Sequence, residues 1–493
     1  MSQDLVLINK VGFHEYPTKE YVFSPSQKYP EYIFGEISPV KNDTYATVRE
    51  SFILMGYDKE NYGMATWNPL KDFINPGDTV LIKPNLVSHE NQNADHGMDC
   101  VITNPAIIRA VADYALLALG NSGRLIIGDA PLQSCDFEAL LETQGLSKVE
   151  AFYGRQSMGT KIEVLDFRNY KSKEEGGVLV PLENETEKGI CIDLAKESEF
   201  HGLPKERINN LRITNYPDDF IKRHHNENKH EYIISEKALA ADVVINMPKP
   251  KTHRYAGVTL ALKNMIGINA NKECLPHHSV GSLGNNGDEY EGQDVLKELY
   301  SKLVDALNAH MRDAGSEMTK MLRRFEKELY KTMEAREGDF FGSWHKNDTI
   351  WRTILDVNKI LFYADKKGKL QDTRQRKMLV IGDMIVSGHV RGPLAPTPKA
   401  VGAIIIGENP VSFDEAVCTY MGFDYLKIPT IRNAREIKGK YKLCGPGETV
   451  VVSNDSGLNN KSLKELDAGD MEQFIPHPCW EEYLTSQVVP SGL

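Results

Sequence analysis

Six short runs of apolar, largely β-branched residues recur along the chain, each bounded by polar or turn-forming residues. They cover residues 79–82, 124–127, 242–245, 378–381, 403–406 and 449–452. Apolar side chains fill consecutive positions in these runs, which is typical of strands covered on both faces. Residues 105–119 instead repeat apolar positions at helical spacing. The alternation of strands and helices predicts an α/β fold, with a mainly parallel sheet flanked by helices.

A longer helical pattern interrupts this alternation between about residues 291 and 340. Leu299, Leu303, Phe325 and Leu329 recur at helical spacing, and charged residues fill most of the remaining positions. The pattern predicts two amphipathic helices whose apolar face is buried. The insertion is either an ordinary helical subdomain or a surface that forms a homodimer or a lid.

These elements suggest a division of the chain into four parts. Residues 1–270 form the first part of the α/β domain, and residues 271–375 form a mainly helical insertion. Residues 376–445 form the second part of the domain, and residues 446–493 form a C-terminal strand and tail.

Polar and charged residues follow four of the predicted strands directly. They are Lys83 and Asn85 after the first, Asp129 after the second, Lys249, Lys251 and His253 after the third, and Asp383, His389 and Arg391 after the fourth. In open parallel sheets, ligands bind beyond the carboxyl ends of the strands, where the loops converge. We therefore expect these residues to contribute to one shared site.

The loop after the third strand is the most basic of these segments. Pro248 and Pro250 keep it extended, and lysine or arginine side chains at such a site suit a phosphate or carboxylate group. The predicted anion-binding residues are Lys83, Asn85, Lys249, Lys251, Lys263 and Arg391. A solvated basic loop explains the same lysines without any ligand, so both interpretations remain open.

Acid–base or metal chemistry requires a second group of residues. His253 is the favoured proton-transfer group, with Asp129 and Asp383 as carboxylates that orient it. A divalent metal held by Asp129, His253, Asp383 and His389 is the alternative use of these side chains. The sequence contains no motif of the zinc-protease, P-loop or dinucleotide-binding type.

Composition excludes several classes of function. The net charge of −11, without a basic arm, argues against nucleic-acid binding. The sequence contains no stretch of 18 consecutive apolar residues, so we expect no membrane span. The seven cysteines form no Cys-x-x-Cys pair, so we expect no iron–sulfur cluster. Scattered cysteines and the lack of a signal peptide favour the cytoplasm.

Several of these motifs together resemble the family known as domain of unknown function 362 (DUF362). They lie at residues 80–86, 128–131, 246–253, 262–267 and 382–393. Many members of that family carry a ferredoxin-like cysteine cluster that this chain lacks, so their redox role is not carried over. Residues 344–352 look like a longer subgroup whose genes accompany surface-polysaccharide pathways, which implies a sugar or sugar-nucleotide substrate. The layout is also loosely similar to that of nickel-pincer lactate racemases.

Three hypotheses follow. The first is an enzyme that acts on a phosphate- or carboxylate-bearing small molecule, such as a sugar or sugar nucleotide of surface-polysaccharide metabolism. The second is a non-catalytic binding or assembly module that uses the helical insertion. The third is a racemase or epimerase with a metal cofactor. The sequence identifies neither the substrate, the reaction, the metal nor the oligomeric state.

Overall fold

The fold was analysed in a computed structural model, which describes residues 3–175, 178–184, 187–213, 216, 218–309, 317–337 and 342–485. Its strands are β1 (Gln3–Lys10), β2 (Thr79–Pro84), β3 (Arg124–Asp129), β4 (Lys161–Asp166), β5 (Tyr170–Glu175), β6 (Val178–Glu183), β7 (Gly189–Asp193), β8 (Leu211–Arg212), β9 (His225–Asn226), β10 (Lys229–Ser235), β11 (Val243–Met247), β12 (Lys251–His253), β13 (Gly257–Thr259), β14 (His278–Ser279), β15 (Lys377–Arg391), β16 (Ala395–Gly407), β17 (Glu448–Ser453) and β18 (Lys461–Ser462).

Helices separate most of these strands. They are α1 (Asp43–Leu54), α2 (Pro105–Leu119), α3 (Phe137–Gln144), α4 (Leu146–Gly154), α5 (Lys205–Asn209), α6 (Asp218–His224), α7 (Glu236–Leu239), α8 (Ala261–Asn264), α9 (Val295–Ala309), α10 (Glu317–Glu337), α11 (Ile350–Tyr363), α12 (Pro410–Tyr420) and α13 (Pro429–Glu436). Within the described ranges, none of them combines the length and apolar character needed to cross a membrane.

The large central sheet has the order β18-β17-β1-β16-β15-β11-β2-β3-β4, with β12 and β13 attached beside β15. Strands β15, β11, β2, β3 and β4 run parallel to one another. Strand β16 is antiparallel to both of its neighbours, β1 and β15. The predicted α/β class, with a mainly parallel sheet and a helical insertion, is confirmed.

Both faces of the sheet are buried, which explains the continuous apolar runs in its strands. Leu81 and Val244 face a core shared with α11 and α12. Val80 and Ile245 face a second core shared with α1 and α2. Because successive side chains of a strand point to opposite faces, a strand between two cores needs apolar residues at every position.

Strand β15 is much longer than its apolar run predicts. The sequence pattern ends the strand before Asp383 and assigns the following residues to a loop, which is wrong. The strand continues to Arg391 because β16 pairs with it along this whole length, across a β-bulge between Met384 and Val386. The tip of this hairpin packs on the basic segment, where Arg254 N donates a 3.2 Å hydrogen bond to Gly392 O.

The insertion contains α9, α10 and α11, and the stretch between α9 and α10, residues 310–316, lies outside the described residues. Tyr300 and Val304 of α9 are buried against α10. The face predicted to be buried is only partly so: Leu299 and Phe325 are 65% and 60% exposed, whereas Leu303 and Leu329 are half-buried. The buried stripe is rotated toward Tyr300, since the contact between the two helices runs along that side.

Candidate functional site

A cavity of about 300 Å³ opens beyond the carboxyl ends of β2, β3 and β11. Its polar lining combines five residues predicted from the sequence with others that were not. The predicted ones are Asn85, Asp129, Lys251, His253 and Lys263. Further polar residues of the lining are Gln92, Gln133, Ser134, Arg254, Tyr255, Thr259, Asn264, Lys272 and His277.

Backbone hydrogen bonds join the loops that surround the cavity. They run from Ala130 N to Gly267 O at 2.7 Å, from Leu132 N to Val87 O at 3.0 Å and from Gln92 N to Leu394 O at 2.8 Å. Each bond links segments that are far apart in sequence. The loops around the cavity are therefore tied to one another as well as to the strands they follow.

Lys83 and Asp129 form a buried ion pair beneath the cavity. They come from the adjacent strands β2 and β3, and Lys83 Nζ lies 2.8 Å from Asp129 Oδ1. Asp129 Oδ2 accepts a 2.7 Å hydrogen bond from Leu86 N. Burial lowers the pKa of Lys83, while the Asp129 carboxylate opposes that shift. Asp129 thus binds Lys83 and the backbone of the loop that follows β2, and it makes no bond to His253.

Three lysines line the cavity without a carboxylate partner among the described residues. Lys251 Nζ donates to Val101 O and, at 3.4 Å, to Asn85 Oδ1. Lys272 Nζ donates to Ile266 O, also at 3.4 Å. Lys263 makes no hydrogen bond or ion pair to any residue of the described part, although Asp414 positions its helix by accepting a 2.7 Å bond from Ala261 N.

Burial lowers the pKa of all three of these ammonium groups. The pKa falls to about 7 for Lys251, with Lys249 as the next cause, and to about 7 for Lys272. It falls to about 8 for Lys263, with Lys83 as the second cause. Desolvated cations that lack a counter-ion attract an anion strongly, because the anion restores the interaction that was lost with water.

Two further polar side chains of the lining have no partner among the described residues. Both amide atoms of Gln133 are buried without a hydrogen bond, and so is the Thr259 hydroxyl. Gln133 is 1% exposed and Thr259 is 4% exposed. Such groups are rare in folded proteins because desolvation is costly, and a bound ligand is one reason for their presence. They mark the same cavity as the lysines do.

His253 is fixed in one tautomer by its own loop. Its Nδ1 accepts hydrogen bonds from Tyr255 N at 3.0 Å and from Ala256 N at 3.2 Å. A nitrogen that accepts carries no proton, so the neutral ring holds its proton on Nε2. Burial, and then the charge of Lys263, lowers the pKa of His253 well below its usual value. His253 therefore presents an N–H donor to the cavity instead of a base.

His277 has the opposite tautomer. Its Nδ1 lies 2.6 Å from Leu275 O, and a carbonyl oxygen only accepts, so Nδ1 carries the proton. Its Nε2 then has a free lone pair. Burial, followed by Lys263, lowers the pKa of His277 to about 3. The ring of Tyr255 neighbours both imidazoles, with centroid distances of 6.1 Å to His253 and 6.0 Å to His277.

Lys249 and Asp383 form a second ion pair that does not line the cavity. Both side chains are fully buried, and Lys249 Nζ lies 2.6 Å from Asp383 Oδ2. Tyr16 closes the cluster, since its hydroxyl donates to Asp383 Oδ1 at 2.5 Å. Asn104 N, at the start of α2, donates to Asp383 Oδ2 at 2.9 Å. Both oxygens of this carboxylate are engaged in holding β15 to the N-terminal segment and α2.

The four metal candidates named from the sequence do not all lie together: Asp129 and His253 line the cavity, whereas Asp383 and His389 do not. Three strand spacings of about 4.8 Å separate β3 from β15, which places Asp129 and Asp383 on strands about 14 Å apart. His389 is half-buried outside the cavity lining, and its Nδ1 accepts a 3.3 Å hydrogen bond from Ile475 N. Arg391 is exposed at the end of β15, also outside the lining. His389 and Arg391 therefore lie on β15 outside the lining, although Pro393 and Leu394 beyond the strand belong to it.

Sequence reasoning misses His277, Lys272 and Gln133. His277 adjoins His278, and two neighbouring histidines make a poor chelate, so the pair attracts little attention in the sequence. Lys272 and His277 follow short irregular segments instead of strands, so the strand-end rule does not find them. Gln133 could have been identified from the sequence, since it comes four residues after Asp129 in a loop already assigned to the site.

Comparisons with known proteins give a family match over most of the chain and a partial match to a curated protein. A family model described as "Domain of unknown function (DUF362)" matches residues 80–163 and 167–419. The thylakoid-associated protein sll1697 of Synechocystis sp. is 24% identical over 205 residues. That alignment covers 42% of this chain and 41% of the relative, which is less than half of either protein. No solved structure matches.

Proposed function

The chain belongs to the DUF362 family, and within this family of unknown function we propose that it is an enzyme whose substrate is a small anionic molecule. The cavity beyond β2, β3 and β11 is its binding site. The anionic group is a phosphate or a carboxylate. Lys251, Lys263 and Lys272 bind it, with Asn85 and Gln133 as further polar contacts.

The observation that carries this proposal is a concentration of unpaired cations. Two other buried lysines, Lys83 and Lys249, each have a carboxylate at ion-pair distance. Lys251, Lys263 and Lys272 have none in the described part of the chain. A protein that needed these lysines only for packing would gain by replacing them with apolar residues of similar size.

The size of the cavity favours a compact substrate. About 300 Å³ lies at the low end of small-molecule sites. A phosphorylated monosaccharide or a short phosphorylated or carboxylated acid fits this volume better than a sugar nucleotide does. The resemblance to relatives near surface-polysaccharide genes makes phosphorylated sugars the first compounds to examine.

The two histidines support proton transfer as the reaction class. In the proposed step, His277 Nε2 removes a proton from a carbon next to a carbonyl group of the substrate. The electrons of that C–H bond form an enolate, and His253 Nε2–H donates a hydrogen bond to its oxygen. Return of the proton to the opposite face of the carbon gives an epimer. In an α-hydroxy carbonyl substrate, return of the proton to the former carbonyl carbon gives an isomer, as the hydroxyl proton passes to the former carbonyl oxygen.

In the empty cavity the lowered pKa makes His277 a weak base. Binding of the anionic substrate raises that pKa. Lys263 is the main charge that lowers the pKa of His277, after burial. A bound phosphate or carboxylate neutralises that charge and raises the pKa toward the range in which an imidazole is an effective base. Binding and catalysis are coupled through this lysine.

Binding is tested by titrating the full chain with inorganic phosphate, malonate and sugar phosphates in a calorimeter. We expect binding that weakens as salt rises. Lys263→Met and Lys272→Met should each weaken it about tenfold or more, since hydrogen bonds to charged groups contribute about 1.5–3 kcal/mol. Lys148→Met is the matched control, because Lys148 is exposed on α4 and outside the lining. Equal effects of all three changes would reject the proposed site.

Turnover is tested by solvent exchange, which reports removal of the substrate proton whatever product is formed. Phosphorylated and carboxylated aldehydes and ketones are incubated with the protein in D₂O, and loss of the exchangeable C–H signal is followed by proton NMR. His277→Asn should slow exchange about 10²–10⁴-fold without weakening phosphate binding. If compounds bind but none exchanges its C–H proton with solvent, the protein binds anions without this catalysis, and the proposed enzyme activity is rejected.

A second candidate function, an assembly module, is favoured by the surface of the insertion. Apolar side chains stand exposed on α9 and α10, namely Val295, Leu296, Leu299, Met321 and Phe325. Exposed apolar groups this close together favour contact with another protein, and a second copy of the chain is the simplest partner. A Leu299→Glu/Phe325→Glu variant that stays at the same mass as the wild-type protein in light scattering would reject a homodimer through this surface.

The cytoplasmic location expected from the sequence also remains part of this proposal. It is supported by the seven cysteines, all of which are free in the structure. Fractionation of producing cells, with antibody detection in cytosolic, membrane and extracytoplasmic fractions, tests it directly.

A further inference from the structure

A cluster of three metal-binding side chains lies outside the cavity, on the small sheet of β7, β10 and β9. Cys191, His224 and Glu231 each offer one ligand atom, and these atoms lie within 4.8 Å of one another. Cys191 is on β7, His224 is the last residue of α6, and Glu231 is on β10. We propose that these three residues bind a zinc-type transition-metal ion.

Pairing of the strands explains why Cys191 and Glu231 lie together. In the antiparallel pair of β7 and β10, Cys191 is opposite Ile233, and Glu231 is opposite Asp193. Residues two positions apart share a face of the sheet, so Cys191 and Glu231 are diagonal neighbours on one face. The end of α6 brings His224 to the same face, where its Nδ1 lies 3.0 Å from Glu231 Oε2.

The spacing and the chemistry of the three groups suit such an ion. Zinc bonds of about 2.0–2.3 Å require ligand atoms about 3.3–3.8 Å apart in a tetrahedron. Small side-chain rotations bring atoms that lie within 4.8 Å to that spacing. Thiolate, imidazole and carboxylate favour zinc or cobalt over magnesium or calcium. Three protein ligands leave a fourth position for water or a ligand.

In the structure, the His224 Nδ1 proton and the Lys229 ammonium group interact with the Glu231 carboxylate, which a metal ion would otherwise bind. His224 Nδ1–H donates to Glu231, and Lys229 Nζ lies 2.7 Å from the same carboxylate oxygen, Oε2. A divalent ion would replace that proton and displace the Lys229 ammonium from the carboxylate. Lys229 therefore competes with the metal, which makes it a sensitive residue for a test.

The probe is Co²⁺, added to the full chain after treatment with a chelator. A thiolate ligand gives cobalt a charge-transfer band in the near ultraviolet, and we expect this band to saturate at one Co²⁺ per chain. Cys191→Ser should abolish the band, and Glu231→Gln should weaken binding at least about tenfold. Cys444→Ser and Cys479→Ser are the matched controls and should leave the band unchanged. Zn²⁺ should displace Co²⁺.

The most specific expectation concerns Lys229→Met. Removal of the competing cation should tighten Co²⁺ binding about tenfold or more, whereas a merely structural Lys229 would leave the affinity unchanged. Zn²⁺ should also slow alkylation of Cys191 by iodoacetamide, followed by mass spectrometry, and should not slow that of Cys444. Absence of the band at equimolar Co²⁺, or a band that survives in Cys191→Ser, would overturn the metal site.

Discussion

Gly267 lies so close to Asp129 that a Cβ atom at position 267 would be 1.9 Å from Asp129 Oδ1. The same atom would be 2.7 Å from Lys83 Nζ. Because glycine has no side chain, position 267 leaves room for the Lys83–Asp129 ion pair under the cavity. Its carbonyl also accepts the hydrogen bond from Ala130 N, so the backbone cannot simply move away from the pair.

Gly267→Ala should therefore separate Lys83 from Asp129. We expect a loss of about 1–3 kcal/mol in the free energy of unfolding, the usual cost of overpacking, together with weaker phosphate binding. Gly154→Ala is the matched control, because nothing lies within 4 Å of a Cβ atom there. Urea denaturation of both variants provides the comparison, and equal stability would show that the pair tolerates the added atom.

Lys272→Met should stabilise the empty protein, and the gain should depend on pH. The pKa of Lys272 is lowered to about 7, so the folded state disfavours a charge that the unfolded chain keeps up to about 10.4. The penalty is complete below pH 7 and disappears as pH rises from 7 to about 10.4. We expect a gain of about 1–3 kcal/mol at pH 6 that shrinks by pH 9.5. Denaturation curves at both pH values test it, and a gain independent of pH would contradict the interpretation.

Phosphate binding should be coupled to proton uptake between pH 7 and 8.5. In the empty cavity Lys251 and Lys263 are partly neutral, since their pKa values are about 7 and 8. A bound anion stabilises the charged form and raises both pKa values, so protons are taken up. Calorimetry in buffers of different ionisation enthalpy measures the number directly. Affinity should fall as pH rises above 8, and proton release on binding would contradict this assignment.

Conservative histidine variants separate a donor from a base. The side-chain amide of Gln can donate roughly where an imidazole Nε2–H does, but it offers no basic nitrogen. His253→Gln should therefore keep part of the exchange activity in D₂O, whereas His277→Gln should lose it as fully as His277→Asn does. The reverse order of residual activities would exchange the two proposed roles. Phosphate affinity, measured alongside, reports any general damage to the cavity.

Buried neutral histidines away from the cavity should make the protein sensitive to acid. Burial lowers the pKa of His225 to about 3 and that of His230 to about 4. The unfolded chain takes up these protons near pH 6.5, so stability is complete above that pH and is lost as pH falls below it. His225→Gln, which keeps a donor for Cys274 O, should reduce the loss between pH 7 and 5 by about 1–2 kcal/mol. If His225→Gln loses as much stability between pH 7 and 5 as the wild-type protein does, other groups cause the acid sensitivity.

Strands β2, β3, β11 and the first part of β15 could be predicted because each lies between two cores, whereas the partly exposed edge strand β4 was not predicted. Continuous apolar runs distinguish them from loops and from one-sided strands, and helix α2 matches the predicted 105–119 range. The far half of β15 could not be predicted in this way. Ser387, Gly388 and His389 have the composition of a loop, and they form a strand because β16 pairs with them.

The site could be predicted only as far as strand order allows. The sequence supplies four candidate lysines, Lys83, Lys249, Lys251 and Lys263, but it does not indicate which of them have a carboxylate partner. That depends on which strands are neighbours: β2 lies beside β3, so Lys83 pairs with Asp129, whereas Lys251 and Lys263 have no carboxylate partner among the described residues. The roles of His253 and His277 depend on single backbone hydrogen bonds, which no sequence pattern encodes.

The hydrogen bonds that tie the loops around the cavity have a consequence for the speed of binding. Segments joined to one another through Gly267, Val87 and Leu394 are already ordered before an anion arrives. These joined loops, as far as the described residues show, need not fold over the ligand, so little conformational entropy is lost in the encounter. Stopped-flow traces should then show a single phase whose rate constant rises linearly with phosphate concentration. Attraction by the lysines, and not a closing motion, would set how fast the cavity fills.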